Sequence, residues 1–181
     1  WGASVAWYVG IFFPERLFSL TTMSVPHLDA FNLTRNDPSS CQFSASGYIN
    51  FFVQPDSQDV LLANDAAILR DVWTASSDEV VAEYLDVLGD PDVLKLALDW
   101  YRDNLSGDGI PMLGNVSVPT LYIWGTEDTA LCRDGAYLTE EYVDGPYQFA
   151  PLGGVDHWVT EAAPDDVSGL LLEHLRQFPA G

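Results

Sequence analysis

The sequence predicts an α/β protein: a mostly parallel sheet flanked by helices, interrupted by a helical insertion. Three observations predict it. An apolar stretch, Trp1 to Phe13, runs directly into a β-forming segment, Leu17 to Val25. Two further β-forming runs, Thr120 to Trp124 and Tyr147 to Leu152, come after residue 110 with a short helical connection between them. Such strand–helix alternation with short links is the mark of a parallel sheet. Between these ends, residues 29–109 read as helices and loops.

Taken in order, Val5, Ala6, Trp7, Val9, Ile11, Phe12 and Phe13 leave residues 1–13 apolar on nearly every side, which predicts a buried helix. Pro14 stops it, and Leu17–Val25 is a strand bounded by Pro26. Residues 32–47 are polar and loop-like. Tyr48 to Pro55 brings a dense aromatic patch. Three helices follow, the first over Ser57–Trp73. The second starts at a capping box, Ser76-x-x-Glu79, and stops at Gly89. The third has Asp90 as N-cap and Pro91 at its first position, and runs to Leu105. Ser106-Gly107-Asp108-Gly109 breaks the chain. Then come the strand Thr120–Trp124, a short helix over Gly135–Tyr142, the strand Tyr147–Leu152, and a closing helix, Pro164–Phe178. That helix is expected to face Val167, Leu170, Leu171, Leu175 and Phe178 inward. The domains expected are 1–28 with 110–181 for the sheet and its helices, and 29–109 for a helical cap.

A net charge of −20 over 181 residues argues against nucleic-acid and anionic-membrane partners, which require a basic face. No apolar run is long enough to span a bilayer. The two cysteines, Cys41 and Cys132, make neither a disulfide framework nor a metal spacing; free thiols are expected, which leans towards the cytoplasm, with secretion left open. Asn32, Asn104 and Asn115 begin Asn-x-Ser/Thr triplets, a signal at chance level alone.

In parallel sheets, sites collect at the carboxyl ends of strands. The loops holding Asp128 and His157 follow two such ends. Four blocks carry a resemblance here: Trp1-Gly2 through Pro14-Glu15-Arg16, Val25-Pro26-His27, Val118-Pro119-Thr120-Leu121-Tyr122-Ile123-Trp124-Gly125-x-x-Asp128, and His157-Trp158. In that order they resemble the C-terminal part of an α/β-hydrolase of the epoxide hydrolase family, related to haloalkane dehalogenases.

The resemblance implies an α/β-hydrolase fold with an inserted helical cap, the N-terminal part of the sheet lying outside this chain. It implies Asp128 as catalytic acid and His157 as base. The nucleophile would be the residue immediately before Trp1, usually Asp in relatives with Trp-Gly at this place, with Ser as the minority alternative, and a chain beginning at Trp1 would be inactive. Trp1 would supply an oxyanion N–H or leaving-group contact. Tyr48 and Tyr101, the latter in Trp100-Tyr101-Arg102, resemble the lid tyrosines that protonate an epoxide oxygen. Phe51 and Phe52 would line an apolar substrate pocket. No metal or cofactor is implied. The partners implied are a small apolar epoxide, water and an N-terminal segment of the same fold, with a homodimer as an open alternative.

Competing readings stand beside these. Asp29 could be the acid. His27 reads as a structural hydrogen-bonding residue, His174 as lying on the surface or rim of the last helix, and Trp7, Trp73 and Trp124 as core. Asp156 stands where the family commonly has Gly, and Ala3 where a second Gly is frequent; a carboxylate at Asp156 could compete with Asp128 for the histidine. Rival functions are a dehalogenase or esterase on the same scaffold, and a non-catalytic fragment or binding module.

Overall fold

The computed structural model describes residues 1–73, 75–105 and 112–179; the expected break at Ser106-Gly107-Asp108-Gly109 lies outside them. The chain divides into two compact units, Trp1–Ala45 with Pro111–Gly181, and Ser46–Ile110.

The first unit is built on a parallel sheet of β1 (Leu20–Met23), β2 (Thr120–Gly125) and β3 (Tyr147–Leu152), in that order. β2 lies between the other two, with Leu20 opposite Thr120 and Thr120 opposite Tyr147. Every residue of β2 is buried, as expected of a strand covered on both faces. Its side chains alternate. Tyr122 and Trp124 join Trp7, Leu20, Val116 and Ala136 on one face, while Leu121 and Ile123 join Val159 and Val167 on the other. Helix α1 (Gly2–Phe12) and α8 (Arg133–Leu138) supply the first face, α9 (Val159–Ala162) and α10 (Pro164–Gln177) the second. A parallel sheet with helices on both faces is the fold class the sequence predicts. Gly10 lets α1 approach closely: a Cβ there would sit 3.0 Å from the Leu20 side chain.

Several local expectations are corrected. α1 is not buried all round. Trp7 and Gly10 are buried, but Val5, Tyr8, Phe12 and Phe13 are exposed, because β1 and its neighbours cover a single face of this helix. The polar stretch 32–47 is not a loop. It takes in the second half of α2 (Leu28–Arg35) and the whole of α3 (Cys41–Ala45) and enters α4 (Gly47–Phe52). Of its polar residues Thr34, Gln42 and Ser46 are buried, as are His27 and Asp29 just ahead of it: His27 Nδ1 accepts the Asp29 N–H, and Asp29 accepts N–H groups from Leu113 and Gly114. A polar composition therefore hides a buried helix.

Cys41 and Cys132 form a disulfide, so the expectation of free thiols is wrong. Distance in sequence says nothing about distance in space, and α3 folds back beside the segment ahead of α8. His174 is buried, not at the rim, whereas Leu175 is exposed. At 100° per residue, Val167 and His174 are two turns apart on one stripe of α10, and Leu175 turns away. No helix among the described residues is long and apolar enough to cross a membrane.

The second unit comprises α4, α5 (Ser57–Arg70), α6 (Asp78–Leu88) and α7 (Pro91–Leu105). The helix expected over Ser57–Trp73 is interrupted. Asn64, Asp65 and Ala66 have φ of 53°, 60° and 56°, in the left-handed region that strains residues with a Cβ. Arg70 holds the interruption, donating from Nε to the Asp65 carbonyl at 2.9 Å. The cap of α6 is Ser77, not Ser76: its hydroxyl accepts the Val80 N–H. Asp78 and Glu79 occupy the first turn, where the helix dipole favours acids. Asp90 caps α7 as expected, accepting the N–H groups of Asp92 and Val93. Leu61, Leu69, Trp73, Val81, Leu94 and Leu98 are buried.

Candidate active site

Two loops leave adjacent carboxyl ends of the sheet, one after β2 and one after β3. They are stitched together by backbone hydrogen bonds, Thr126 N–H to the Leu152 carbonyl at 3.0 Å and Glu127 N–H to that of Val155 at 2.8 Å. The Gly154 N–H also donates to Thr126 Oγ1. Gly125 permits this closeness: a Cβ there would lie 2.2 Å from the Asp156 carbonyl oxygen and 2.4 Å from that of Val155. Ser24, at the end of β1 with φ of 60°, donates its hydroxyl to the His157 carbonyl at 2.7 Å. The Ser24 carbonyl in turn accepts the Tyr122 hydroxyl at 2.8 Å. All three strands thus contribute to fixing the backbone of His157.

Asp128 Oδ2 lies 2.7 Å from His157 Nδ1. The Asp128 side chain is fully buried, and His157 is 30% exposed. Asp128 Oδ1 accepts the N–H groups of Ala130 and Leu131, both at 2.8 Å. A carboxylate with backbone donors on one oxygen uses the other as an acceptor. That places a proton on His157 Nδ1 and leaves the Nε2 lone pair available to take one. The pair has the geometry of an oriented general base: the acid inaccessible, the base open to solvent.

The structure thus brings Asp128 and His157 together and separates Asp29 from them. Asp29 is engaged by Leu113 and Gly114 and sits beside His27. His27 is structural, as expected. It caps α2 and stacks flat on Tyr142 with ring centroids 4.9 Å apart. Burial pushes its pKa down to about 4, against the raising influence of Asp29. Asp156 accepts the Trp158 N–H at 2.9 Å, while Asp128 holds His157 Nδ1. Trp7 and Trp124 are core in this unit and Trp73 in the second. Trp1 stands at the N-cap of α1.

Within the second unit, Tyr48 and Tyr101 come together. Their ring centroids are 6.3 Å apart, and Phe52 packs edge-on against both, at 5.4 Å from Tyr48 and 5.0 Å from Tyr101. Phe51 adjoins Phe52 at 5.9 Å. All four are partly exposed. Arg102, which sequence reasoning passed over, anchors this end of α7. It donates to Asp99 Oδ1 at 2.7 Å, the Gln54 carbonyl at 2.8 Å, Ser57 Oγ at 3.0 Å and Gln58 Oε1 at 3.1 Å. Ser24 was missed as well. Nothing in its neighbourhood of sequence marks it, whereas Gly125 directly after a β-run was a readable sign of close approach.

No family model matches the chain. It is similar to epoxide hydrolase 4 of Mus musculus, 27% identical over 192 residues, covering 98% of this chain and 52% of that protein. It is also similar to the AB hydrolase superfamily protein YfhM of Bacillus subtilis, 30% identical over 183 residues, covering 97% of this chain and 63% of that protein. The chain thus spans about half to two-thirds of the length of these curated relatives. Among solved structures, a Bacillus megaterium epoxide hydrolase in complex with an inhibitor superposes with a TM-score of 0.84 at 21% identity, covering 97% of this chain and 66% of that one. Epoxide hydrolase A of Mycobacterium thermoresistibile does so with a TM-score of 0.78 at 22% identity, covering 100% and 68%.

Proposed function

We propose, from the premise that this chain has the α/β-hydrolase fold and its relatives are epoxide hydrolases, that it carries the acid–base half of an epoxide-hydrolysing site. The observation that carries this reading is the 2.7 Å pair of buried Asp128 and half-open His157 at neighbouring strand ends.

In this reading a carboxylate nucleophile, an Asp immediately before Trp1, attacks an epoxide carbon. The carbon–oxygen bond breaks as a carbon–carboxylate bond forms, and the alkoxide takes a proton from Tyr48 or Tyr101. A phenol with a pKa near ~10 is protonated at neutral pH and still acidic enough to serve. His157 Nε2 then removes a proton from water, and the hydroxide attacks the ester carbonyl. The Trp1 N–H helps hold the oxyanion, a contact worth roughly 3–4 kcal/mol in comparable sites. Collapse breaks the ester carbon–oxygen bond, and the departing alkoxide takes the proton of the carboxyl group it leaves behind, releasing the diol and the carboxylate; the imidazolium, stabilised by Asp128 while it lasts, returns its proton to the tyrosinate. Phe51 and Phe52 offer apolar surface for the substrate. The acid and base roles rest on geometry together with resemblance; the tyrosine roles rest on the motif resemblance and on the packing of the two rings against Phe52. The domain boundaries 1–28 with 110–181 and 29–109, and a homodimer, belong to the same proposal.

The test is a single turnover in ¹⁸O-labelled water by protein containing the residue before Trp1. The first diol should be unlabelled, because its new oxygen comes from the carboxylate, with label entering the diol only in later turnovers. Label in the first diol removes the ester route. Halide release from a haloalkane with no diol from any epoxide replaces the reading with dehalogenation.

A further inference from the structure

We propose that Gln42 is a positioning residue for Asp128, acting through the loop 130–132. This rests on the reading of Asp128 as the catalytic acid.

The backbone of that loop is held almost wholly by side chains. Asp128 Oδ1 takes the N–H groups of Ala130 and Leu131. Trp124 Nε1 donates to the Leu131 carbonyl at 2.9 Å. Of the remaining three groups two belong to Gln42: its Nε2 donates to the Ala130 carbonyl at 2.8 Å, and its Oε1 accepts the Cys132 N–H at 2.8 Å; the third, the Cys132 carbonyl, accepts the Ala136 N–H at 3.4 Å. A primary amide used this way substitutes for a neighbouring strand, closing both ends of a three-residue segment at once. Gln42 is fully buried, and a buried glutamine that was only a filler would leave its amide uncompensated at considerable cost.

The residues around Gln42 keep it there. Its own N–H donates to Ser40 Oγ. Asp134 Oδ2 accepts both the Ser40 hydroxyl at 2.8 Å and the Cys41 N–H at 2.9 Å. The Cys41–Cys132 disulfide fastens the residue before Gln42 to the residue that Gln42 accepts from. The start of α3 is thereby fixed to the loop after β2 by a covalent bond and four hydrogen bonds, all within a few residues of Asp128.

The consequence for chemistry follows from Asp128 having two oxygens with different tasks. Oδ1 is oriented by Ala130 and Leu131, and the carboxylate plane thus set aims Oδ2 at His157 Nδ1. Without Gln42, the Ala130 carbonyl and Cys132 N–H must find other partners. The loop shifts, and the carboxylate turns with it. Displacements of the order of 1 Å at an oriented catalytic group cost up to about a hundredfold in rate.

The experiment, in protein containing the residue before Trp1, compares Gln42→Met, nearly isosteric but without the amide, and Gln42→Glu, which keeps the acceptor for Cys132, with the unsubstituted protein. Asp128→Asn is measured first. If it retains full epoxide turnover, the acid assignment itself falls, whatever Gln42 does. With that variant inactive, Gln42→Met should lower kcat about tenfold or more with KM within twofold. It should also move the pH midpoint of kcat downward and shift or broaden the low-field Nδ1 proton resonance of His157. Gln42→Glu should recover part of each change. If Gln42→Met does not fold, Gln42→Glu alone is read against the same three measurements. A folded variant with kcat, pH midpoint and resonance all unchanged overturns the proposal.

Discussion

The two units hold their candidate catalytic side chains by different physics. In the first, Asp128 and His157 are set by hydrogen bonds of fixed direction: backbone donors on Oδ1, Nδ1 on Oδ2, and the Ser24 hydroxyl on the His157 backbone. These rest on a sheet whose central strand is buried throughout. In the second, Tyr48 and Tyr101 meet through the edges and faces of aromatic rings at 5.0–6.3 Å on a layer of helices, one of them broken by three left-handed residues. Ring contacts fix a centroid separation and a tilt; hydrogen bonds to both carboxylate oxygens fix a direction as well.

The comparison is broken most severely at Asp128. Asp128→Asn keeps the size but turns one carboxylate oxygen into a donor or leaves His157 Nδ1 with the wrong tautomer. In protein containing the nucleophile, turnover should fall about a thousand- to ten-thousandfold with the fold intact, as for the acid of related triads. Burst kinetics should show the ester forming and persisting, since only its hydrolysis needs His157. An Asp128→Asn variant that turns over normally would remove the assignment.

A second break, of roughly 3 kcal/mol, concerns the first unit's stability. Burial pushes His27 down to about 4, while an unfolded imidazole titrates near ~6.5. The native state therefore binds fewer protons than the unfolded state between these values. The stabilising contribution is complete above pH ~6.5 and is lost progressively as pH falls towards 4, at about 1.4 kcal/mol per unit of pKa difference. His174, also lowered by burial, works in the same direction. His27→Asn retains an N-cap acceptor for Asp29 without a titrating ring. Urea unfolding at pH 7 and pH 4.5 should lose less stability for His27→Asn than for the native residue. Equal losses would show that His27 contributes nothing to acid sensitivity.

How much of this was readable in the sequence differs between the units in the same way. The strands, their parallel order and the Asp128 and His157 loops were legible because β-runs bounded by Pro and Gly are local signals, and sites follow strand ends. Polarity misled where burial was compensated. Residues 32–47 read as a loop because the stretch is polar, yet Thr34 and Gln42 in it, like His27 and Asp29 just before it, are buried, and Asp29 and Gln42 find partners up to ninety residues away. The disulfide was illegible for the same reason, since it depends on α3 returning to the loop ahead of α8. His174 was misplaced by counting leucines and not angles. The left-handed run at 64–66 leaves no mark in the sequence beyond Asn64-Asp65, a pair that tolerates such backbone better than most.

The tyrosines sharpen the comparison at intermediate size. Tyr101→Phe and Tyr48→Phe should each slow epoxide opening, together by about a hundredfold, while the hydrolysis of a preformed alkyl-enzyme ester continues at the native rate. A stopped-flow measurement separates the two steps. Equal slowing of both would mean that the rings support the fold and not the leaving oxygen. A haloalkane, whose leaving group needs no proton, should be insensitive to either change if it is a substrate at all.

The smallest expected effect tests whether ring packing in the second unit is itself directed by hydrogen bonds. Arg102 follows Tyr101 and reaches Asp99, Gln54, Ser57 and Gln58 with one guanidinium, joining α7 to the segment ahead of α5 and to the first turn of α5. Arg102→Ala should lower stability by about 1–3 kcal/mol, the usual cost of charge-assisted hydrogen bonds that lose their donor. Arg102→Lys keeps the charge, but a point ammonium cannot spread over four acceptors in a planar fork, so it should recover only part of this. If the guanidinium also sets the pitch of Tyr101 over Phe52, both variants slow epoxide opening and leave ester hydrolysis alone, reproducing a mild Tyr101→Phe. If they lower the unfolding midpoint and leave both steps untouched, the guanidinium supports the fold of this unit and does not set the pitch of the phenol.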